Sequence, residues 1–221
     1  MKIKGHYIPD RDAWIMSHCP GKKVLHLGCT DWPLTKDRLK NGDLLHQKLA
    51  GVCDLLVGVD PDEEGITQLR RFMPQHIFHV SKAEDMQSNS EITGTSWDII
   101  LAADVVEHIS NLGAALDSIA SLMRSNTELL ITTPSAFSLK RFAAWSLGNT
   151  EHVHPDHCYY FSPSTLIQLL NRSGLKLDSY GFFMWKNRRI INRLAFLLLA
   201  PLNRLSGGHI ADELAIRCTR K

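Results

Sequence analysis

Two short stretches concentrate the side chains that can move a proton near neutral pH. One is Asp104-Val-Val-Glu-His108, and the other is Glu151-His-Val-His-Pro-Asp-His157. An imidazole titrates close to neutrality, so a histidine is the usual base for a hydroxyl or amine. The candidates are His157 first, then His154 and His108, with His152 and the Asp104 carboxylate behind them. His157 leads because it stands beside Tyr159 and Tyr160 and just before Ser162, which can cap and anchor a following helix. The alternative is structural: His108 packs against or caps a helix, and the downstream histidines are solvated in a loop. A metal reading is also open. Asp104, Glu107 and His108 share one face if they lie on a helical turn, and His154 or His157 could complete a mixed oxygen and nitrogen site. These residues form no closed ligand motif, so the sequence predicts chemistry without a divalent ion and no metal ligands.

A second set of residues points to a nucleoside. Asp60 closes the apolar run Leu55–Val59, and a carboxylate there can accept from both ribose hydroxyls; the plainer reading of Asp60-Pro61 is a turn or helix cap. Upstream, Lys23-Val-Leu-His-Leu27 runs into Gly28-Cys-Thr-Asp31. A nicotinamide dinucleotide would need a pyrophosphate at a helix N-terminus, where the Asp31 charge would repel it. The GxGxxG pattern is absent, and Gly28 lies further from Asp60 than the roughly 20 residues usual for dinucleotide sites. No tyrosine has a lysine four residues on. A nicotinamide-dependent oxidoreductase therefore ranks below the leading reading, as does a non-catalytic nucleotide-binding module of the same fold.

These residues need a scaffold, and the apolar pattern supplies one. Short β-type runs begin at Lys23, Leu55, His76, Trp97 and Glu128. Helical periodicity over Leu39–Ala50, Glu63–Phe72 and Leu112–Met123 separates them. Alternation of this kind predicts an α/β fold with a parallel sheet covered by helices on both faces. A helix over Thr165–Asn171 follows, then strands over Leu175–Trp185 and Glu213–Cys218, with an amphipathic segment at Asn187–Leu205. That order predicts a Rossmann-like seven-stranded sheet, mostly parallel, its last strand antiparallel. With no repeats or linkers, 1–221 reads as one domain, carrying an insertion at 135–161. Its aromatics Phe137, Phe142, Trp145, Tyr159 and Tyr160 are expected, with the histidines, to wall an acceptor pocket.

Charge and composition narrow the partners. The formal charge is +2 over 221 residues, and no basic stripe with interleaved aromatics marks a nucleic-acid surface. The five cysteines are scattered and odd in number, which fits a reducing compartment. No leader and no stretch of roughly 18–20 apolar residues is found, so a cytoplasmic location is expected. Arg188, Arg189, Arg193 and Arg204 flank the apolar residues of 187–205. That pattern reads either as a buried helix or as peripheral contact with the inner membrane surface.

Several of these stretches resemble class I methyltransferases. Val24-Leu-His-Leu-Gly-Cys-Thr-Asp31 resembles their first glycine-rich motif, and Val57-Gly-Val-Asp60 their second-strand acidic motif. Lys82-Ala-Glu-Asp-Met86 is similar to the adenine-contact segment. Trp97 to His108 resembles the fourth strand and its exit, the most specific match, and Leu129–Pro134 the fifth strand. His157-Cys-Tyr-Tyr-Phe-Ser-Pro163 is similar to a stretch in bacterial methyltransferases of saccharide and secondary-metabolite clusters. The resemblance implies S-adenosylmethionine as cofactor and a small-molecule or saccharide acceptor, methylated on oxygen. It places the cofactor along His26, Gly28 and Thr30, then Asp60 and Pro61, then Ala83 and Glu84, and finally Ala103 and Asp104. His26 stands where the family usually has an acidic residue, and Thr30 where it has a second glycine.

Overall fold

The computed structural model describes residues 5–151, 153–184 and 201–221. His152 and most of the 187–205 segment, with its proposed membrane contact, lie outside the described residues. Eight strands form one sheet: β1 (His6–Tyr7), β2 (Lys23–Leu27), β3 (Leu55–Asp60), β4 (Ile77–Val80), β5 (Ile99–Ala103), β6 (Glu128–Pro134), β7 (Leu175–Phe183) and β8 (Glu213–Arg220). Their order is β1-β7-β8-β6-β5-β2-β3-β4. All pairings are parallel except those of β8, which runs antiparallel to both β6 and β7. The expected architecture is therefore present with one strand more. The addition is the two-residue β1, which pairs His6 with Gly181 and Tyr7 with Phe182 and is too short to leave a periodicity.

The helices are α1 (Arg11–His18), α2 (Thr35–Asn41), α3 (Leu45–Ala50), α4 (Glu63–Phe72), α5 (Ser90–Gly94), α6 (Leu112–Leu122), α7 (Leu139–Gly148) and α8 (Pro163–Arg172). A 3₁₀ turn covers Ala83–Ser88, and residues 201–205 are helical. Strand alternation sends Leu25 and Val57 to one face of the sheet, against α6 and α8. Val24 and Leu56 go to the other face, with Ile15 of α1 and Leu49 of α3. Leu39 of α2 and Ile66 and Leu69 of α4 close around Phe78. The single helical run expected over Leu39–Ala50 is two helices. Gly42 ends the first with φ +69°, its N–H bonded to the Arg38 and Leu39 carbonyls. Ser162 caps α8 in a reciprocal box with Thr165, so the chain after His157 is anchored as expected.

The chain leaves β2 toward β3 and β4 on one side, then returns to β5 and β6 on the other. That reversal opens a crevice outside the carboxyl ends of β2 and β5, the usual ligand position of such sheets.

Candidate active site

The β2 exit turns at Gly28, which has φ +68°. A Cβ there would come within 2.3 Å of Val105 Cγ2, so the β5 exit packs where a side chain would go. Gly28 N–H donates to the Val59 carbonyl at 2.9 Å, tying this turn to the end of β3. Asp60, at that end, is 7% exposed. One carboxylate oxygen accepts from Thr30 N–H at 3.0 Å and the other from Asp62 N–H at 2.9 Å. Burial raises its pKa, and these backbone donors oppose the rise. Among the described residues only Asp104 and Asn149 are left-handed without being glycine, so Thr30 fits its turn without strain there.

His26 points into the protein, not into solvent. It and His46 of α3 stack with their Nδ1 atoms 3.1 Å apart and their planes 7° from parallel. Burial, aided by the Arg11 charge, pushes His26 down to about 3, and burial lowers His46 as well. Both rings are therefore neutral, and neither Nε2 has a hydrogen-bond partner among the described residues.

At the β5 exit, Asp104 adopts φ +56°. Such a conformation costs a non-glycine residue about 1–3 kcal/mol and must be held by its surroundings. Here Thr132 donates its hydroxyl to Asp104 Oδ1 at 2.7 Å, and Arg11 places a guanidinium nitrogen 3.1 Å from Oδ2. Arg11 also donates to Thr132 Oγ1 at 3.3 Å. Sequence reasoning missed Arg11. The Asp10 cap sets it in the first turn of α1, and its partners lie across the fold with no spacing to announce them. Asp31, beside Gly28, pairs with Arg38.

The helical turn that would put Asp104, Glu107 and His108 on one face does not form: no helix covers 104–109, which holds only a short turn at 106–108. Glu107 swings inward to 1% exposure and accepts from the Thr133 hydroxyl at 2.9 Å, while His108 faces out. Burial and the Asp104 charge push Glu107 up to about 8. His108 meets His154 and His157 there, with ring centroids 4.6 to 5.6 Å apart. Burial, then the neighbouring imidazoles, push His157 down to about 4 and lower His108.

One cavity of about 720 Å³ connects these groups. His26, Gly28, Thr30, Asp60 and Pro61 line it with Ala83, Glu84, Ala103 and Asp104, and His108, His154 and His157 line its other side. Arg11, Arg38, His46 and Asp156 also line it, and none of these four was singled out from the sequence. The insertion contributes differently from expectation. Its aromatics are not among the lining residues: Phe137, Phe142 and Trp145 are 59%, 65% and 60% exposed. Tyr160 lies under the Arg141 guanidinium, and Tyr159 donates to the Ser110 carbonyl at 2.9 Å. The insertion reaches the cavity through His154, Asp156 and His157. Part of it is helix α7, whose apolar residues Leu139, Phe142, Ala143 and Leu147 stand at helical spacing within the stretch read as an insertion.

A family model described as a methyltransferase domain matches residues 21–180. The human mitochondrial ubiquinone biosynthesis O-methyltransferase is 24% identical over 212 residues, covering 82% of this chain and 53% of its own length. The ubiquinone biosynthesis O-methyltransferase of Ruegeria sp. is 23% identical over 199 residues, covering 84% of this chain and 74% of its own. The chain thus spans about half the length of the human relative. Among solved structures, magnesium protoporphyrin IX methyltransferase from Synechocystis with bound S-adenosylhomocysteine shares the fold. Its TM-score is 0.61 at 15% identity, covering 95% of this chain and 80% of that one. A TehB-like methyltransferase from Corynebacterium glutamicum gives a TM-score of 0.59 at 15% identity, over 95% and 86% of the two chains. The chain belongs to the methyltransferase-domain family, the class I enzymes that use S-adenosylmethionine.

Proposed function

We propose that the chain methylates a hydroxyl oxygen of a small ring-bearing molecule, a phenol or a saccharide. The observation that carries this reading is the single cavity with Asp60 at one end and His108, His154 and His157 at the other. The named relatives are O-methyltransferases of ubiquinone biosynthesis, which favours the phenol.

In this reading Asp60 keeps lone pairs for the ribose hydroxyls, Ala83 and Glu84 border the adenine, and the bare Gly28 backbone admits the methionine end. Arg11, beside Asp104, is suited to the methionine carboxylate. The acceptor oxygen attacks the sulfonium methyl in line. The new O–C bond forms as the S–C bond breaks, S-adenosylhomocysteine leaves, and the hydroxyl proton passes to His157. Positioning supplies much of the acceleration. His157 is neutral at pH 7, and the oxygen grows more acidic as the methyl arrives, so a weak base suffices. His154 and His108 follow it in rank.

His157→Ala should lower kcat by roughly 10²–10⁴-fold and leave S-adenosylhomocysteine affinity nearly unchanged. The measurement pairs turnover, read as mass gain of a phenol or sugar panel, with calorimetry of the product. Full turnover in the variant refutes the base role. Lost product binding would assign His157 to structure instead.

A further inference from the structure

His108, His154 and His157 come from two loops fastened to one another. Cys158 N–H donates to the Glu107 carbonyl at 2.7 Å, and His157 N–H to the His154 carbonyl at 3.0 Å. Each histidine offers one ring nitrogen, and these three nitrogens lie within 4.8 Å of one another. His157 Nδ1 is buried with no hydrogen-bond partner among the described residues. An unpaired buried nitrogen bears an unrecovered desolvation cost, which a ligand would offset.

We infer that these three imidazoles bind a borderline transition-metal ion of the zinc(II) class, with its fourth position open to the cavity. The donor chemistry selects the metal. Imidazole nitrogen suits zinc, cobalt or nickel, whereas magnesium and calcium demand oxygen. Three protein ligands and one open position is the arrangement of zinc sites that act on a substrate. Tetrahedral zinc separates its nitrogen ligands by about 3.3 Å, so the rings must close by roughly 1–1.5 Å. His108 and His154 are exposed and can turn. Asp156 contacts the same ring: its N–H donates to His154 Nδ1 at 3.4 Å, and its carboxylate stands 3.8 Å from that atom.

The neighbouring carboxylates are committed elsewhere. Glu107 is buried on the Thr133 hydroxyl, and Asp104 is held by Arg11 and Thr132. The mixed oxygen and nitrogen site open in the sequence is thus not the one the fold offers. The inference runs against the expectation of chemistry without a divalent ion, because the fold brings His154 and His157 together beside His108. This inference rests on the acceptor-side reading of the cluster. With an ion bound, the acceptor hydroxyl would be activated by the metal and its proton would leave to water; the base role given to His157 is that of the metal-free chain.

The test uses the tag-free chain, stripped with a chelator and free of cofactor and acceptor. Zinc is titrated by calorimetry and cobalt by its visible d–d absorption. The expected result is one ion per chain at micromolar affinity or tighter, no magnesium binding, and cobalt bands of four or five coordination. His157→Ala and His108→Ala should each weaken binding tenfold or more, while Glu107→Gln leaves it unchanged. If circular dichroism shows His157→Ala unfolded, His108→Asn in the exposed turn carries the comparison. No stoichiometric zinc, or zinc affinity indifferent to the histidine variants, overturns the inference. A chain that binds S-adenosylhomocysteine and methylates a phenol without binding zinc overturns it alone. A chain that binds zinc through these histidines but not S-adenosylhomocysteine upholds it and overturns the proposed function.

Discussion

The two ends of the cavity are built by opposite means. At the β2–β3 end, Asp60 is 7% exposed, His26 is 2% exposed, and Gly28 is packed against Val105. Backbone N–H groups hold Asp60, the His46 ring holds His26, and the Val59 carbonyl ties Gly28, so this end can serve one ligand shape. At the other end, His108 and His154 are exposed, and α7 beyond them buries no residue. Main-chain bonds such as Cys158 N–H to Glu107 hold that end, and its side chains can change without disturbing the sheet. The contrast locates where such a fold keeps its common chemistry and where it acquires a particular acceptor.

The sharpest way to break the comparison is Gly28→Ala. The new methyl would meet Val105 Cγ2 at 2.3 Å in a left-handed conformation. The two penalties together should cost about 2–5 kcal/mol and abolish S-adenosylhomocysteine binding. Thermal melts and calorimetry read both. Adding Val105→Ala should return part of the stability by removing the clash, with the φ penalty remaining. A single variant as stable as wild type would mean that the β2 exit is not held as described.

The buried histidine pair sharpens the comparison through pH. His26 has its folded pKa pushed down to about 3 against an ordinary 6.5, and His46 is lowered too. Between those values the unfolded chain binds the protons more readily. Their stability is therefore complete above about pH 6.5 and falls as pH drops toward about 3, by up to about 1.4 kcal/mol per pH unit for each ring. The double variant His26→Leu, His46→Leu should flatten that slope in urea melts from pH 7 to pH 5. An unchanged slope would show that the pair is not held neutral by the fold.

Asp60→Asn tests the same end with a smaller effect. The amide keeps one acceptor for the Thr30 or Asp62 N–H and loses charge and lone pairs toward a ribose. S-adenosylhomocysteine should bind about tenfold more weakly or worse, with stability lowered by about 1 kcal/mol. Unchanged affinity by calorimetry would remove Asp60 from the cofactor site.

The same contrast governs what the sequence made legible. Buried strands read as apolar runs because both faces of the sheet are covered, so Leu55–Asp60 and Glu128–Pro134 were visible with small boundary errors. Asp60 followed from its place at a strand end, and the resemblance to class I methyltransferases supplied the other residues along that edge. Asp104 to His108 misled, because helical spacing says nothing of a left-handed Asp104 that breaks the turn. Helix α7 stayed hidden although Leu139, Phe142, Ala143 and Leu147 stand at helical spacing, because the whole stretch reads as an insertion walling the acceptor. Arg11 stayed hidden for a different reason. Its contacts to Asp104 and Thr132 are purely tertiary, and no local pattern encodes them.

The smallest expected effect separates conformation from site. Gly42 has φ +69°, nearly the angle of Gly28, but a Cβ there would meet nothing within 4 Å. Gly42→Ala therefore isolates the left-handed penalty that Gly28→Ala combines with a clash. It should cost about 1–2 kcal/mol, and Gly42→Asn less, because asparagine tolerates this conformation. Neither should alter S-adenosylhomocysteine affinity if the α2–α3 link only shapes the chain. That link leads directly into Leu44 and Leu45, which line the cavity. A loss of affinity at Gly42, with melting little changed, would therefore extend the fixed end of the cavity outward to α2 and narrow the variable end to the histidine loops.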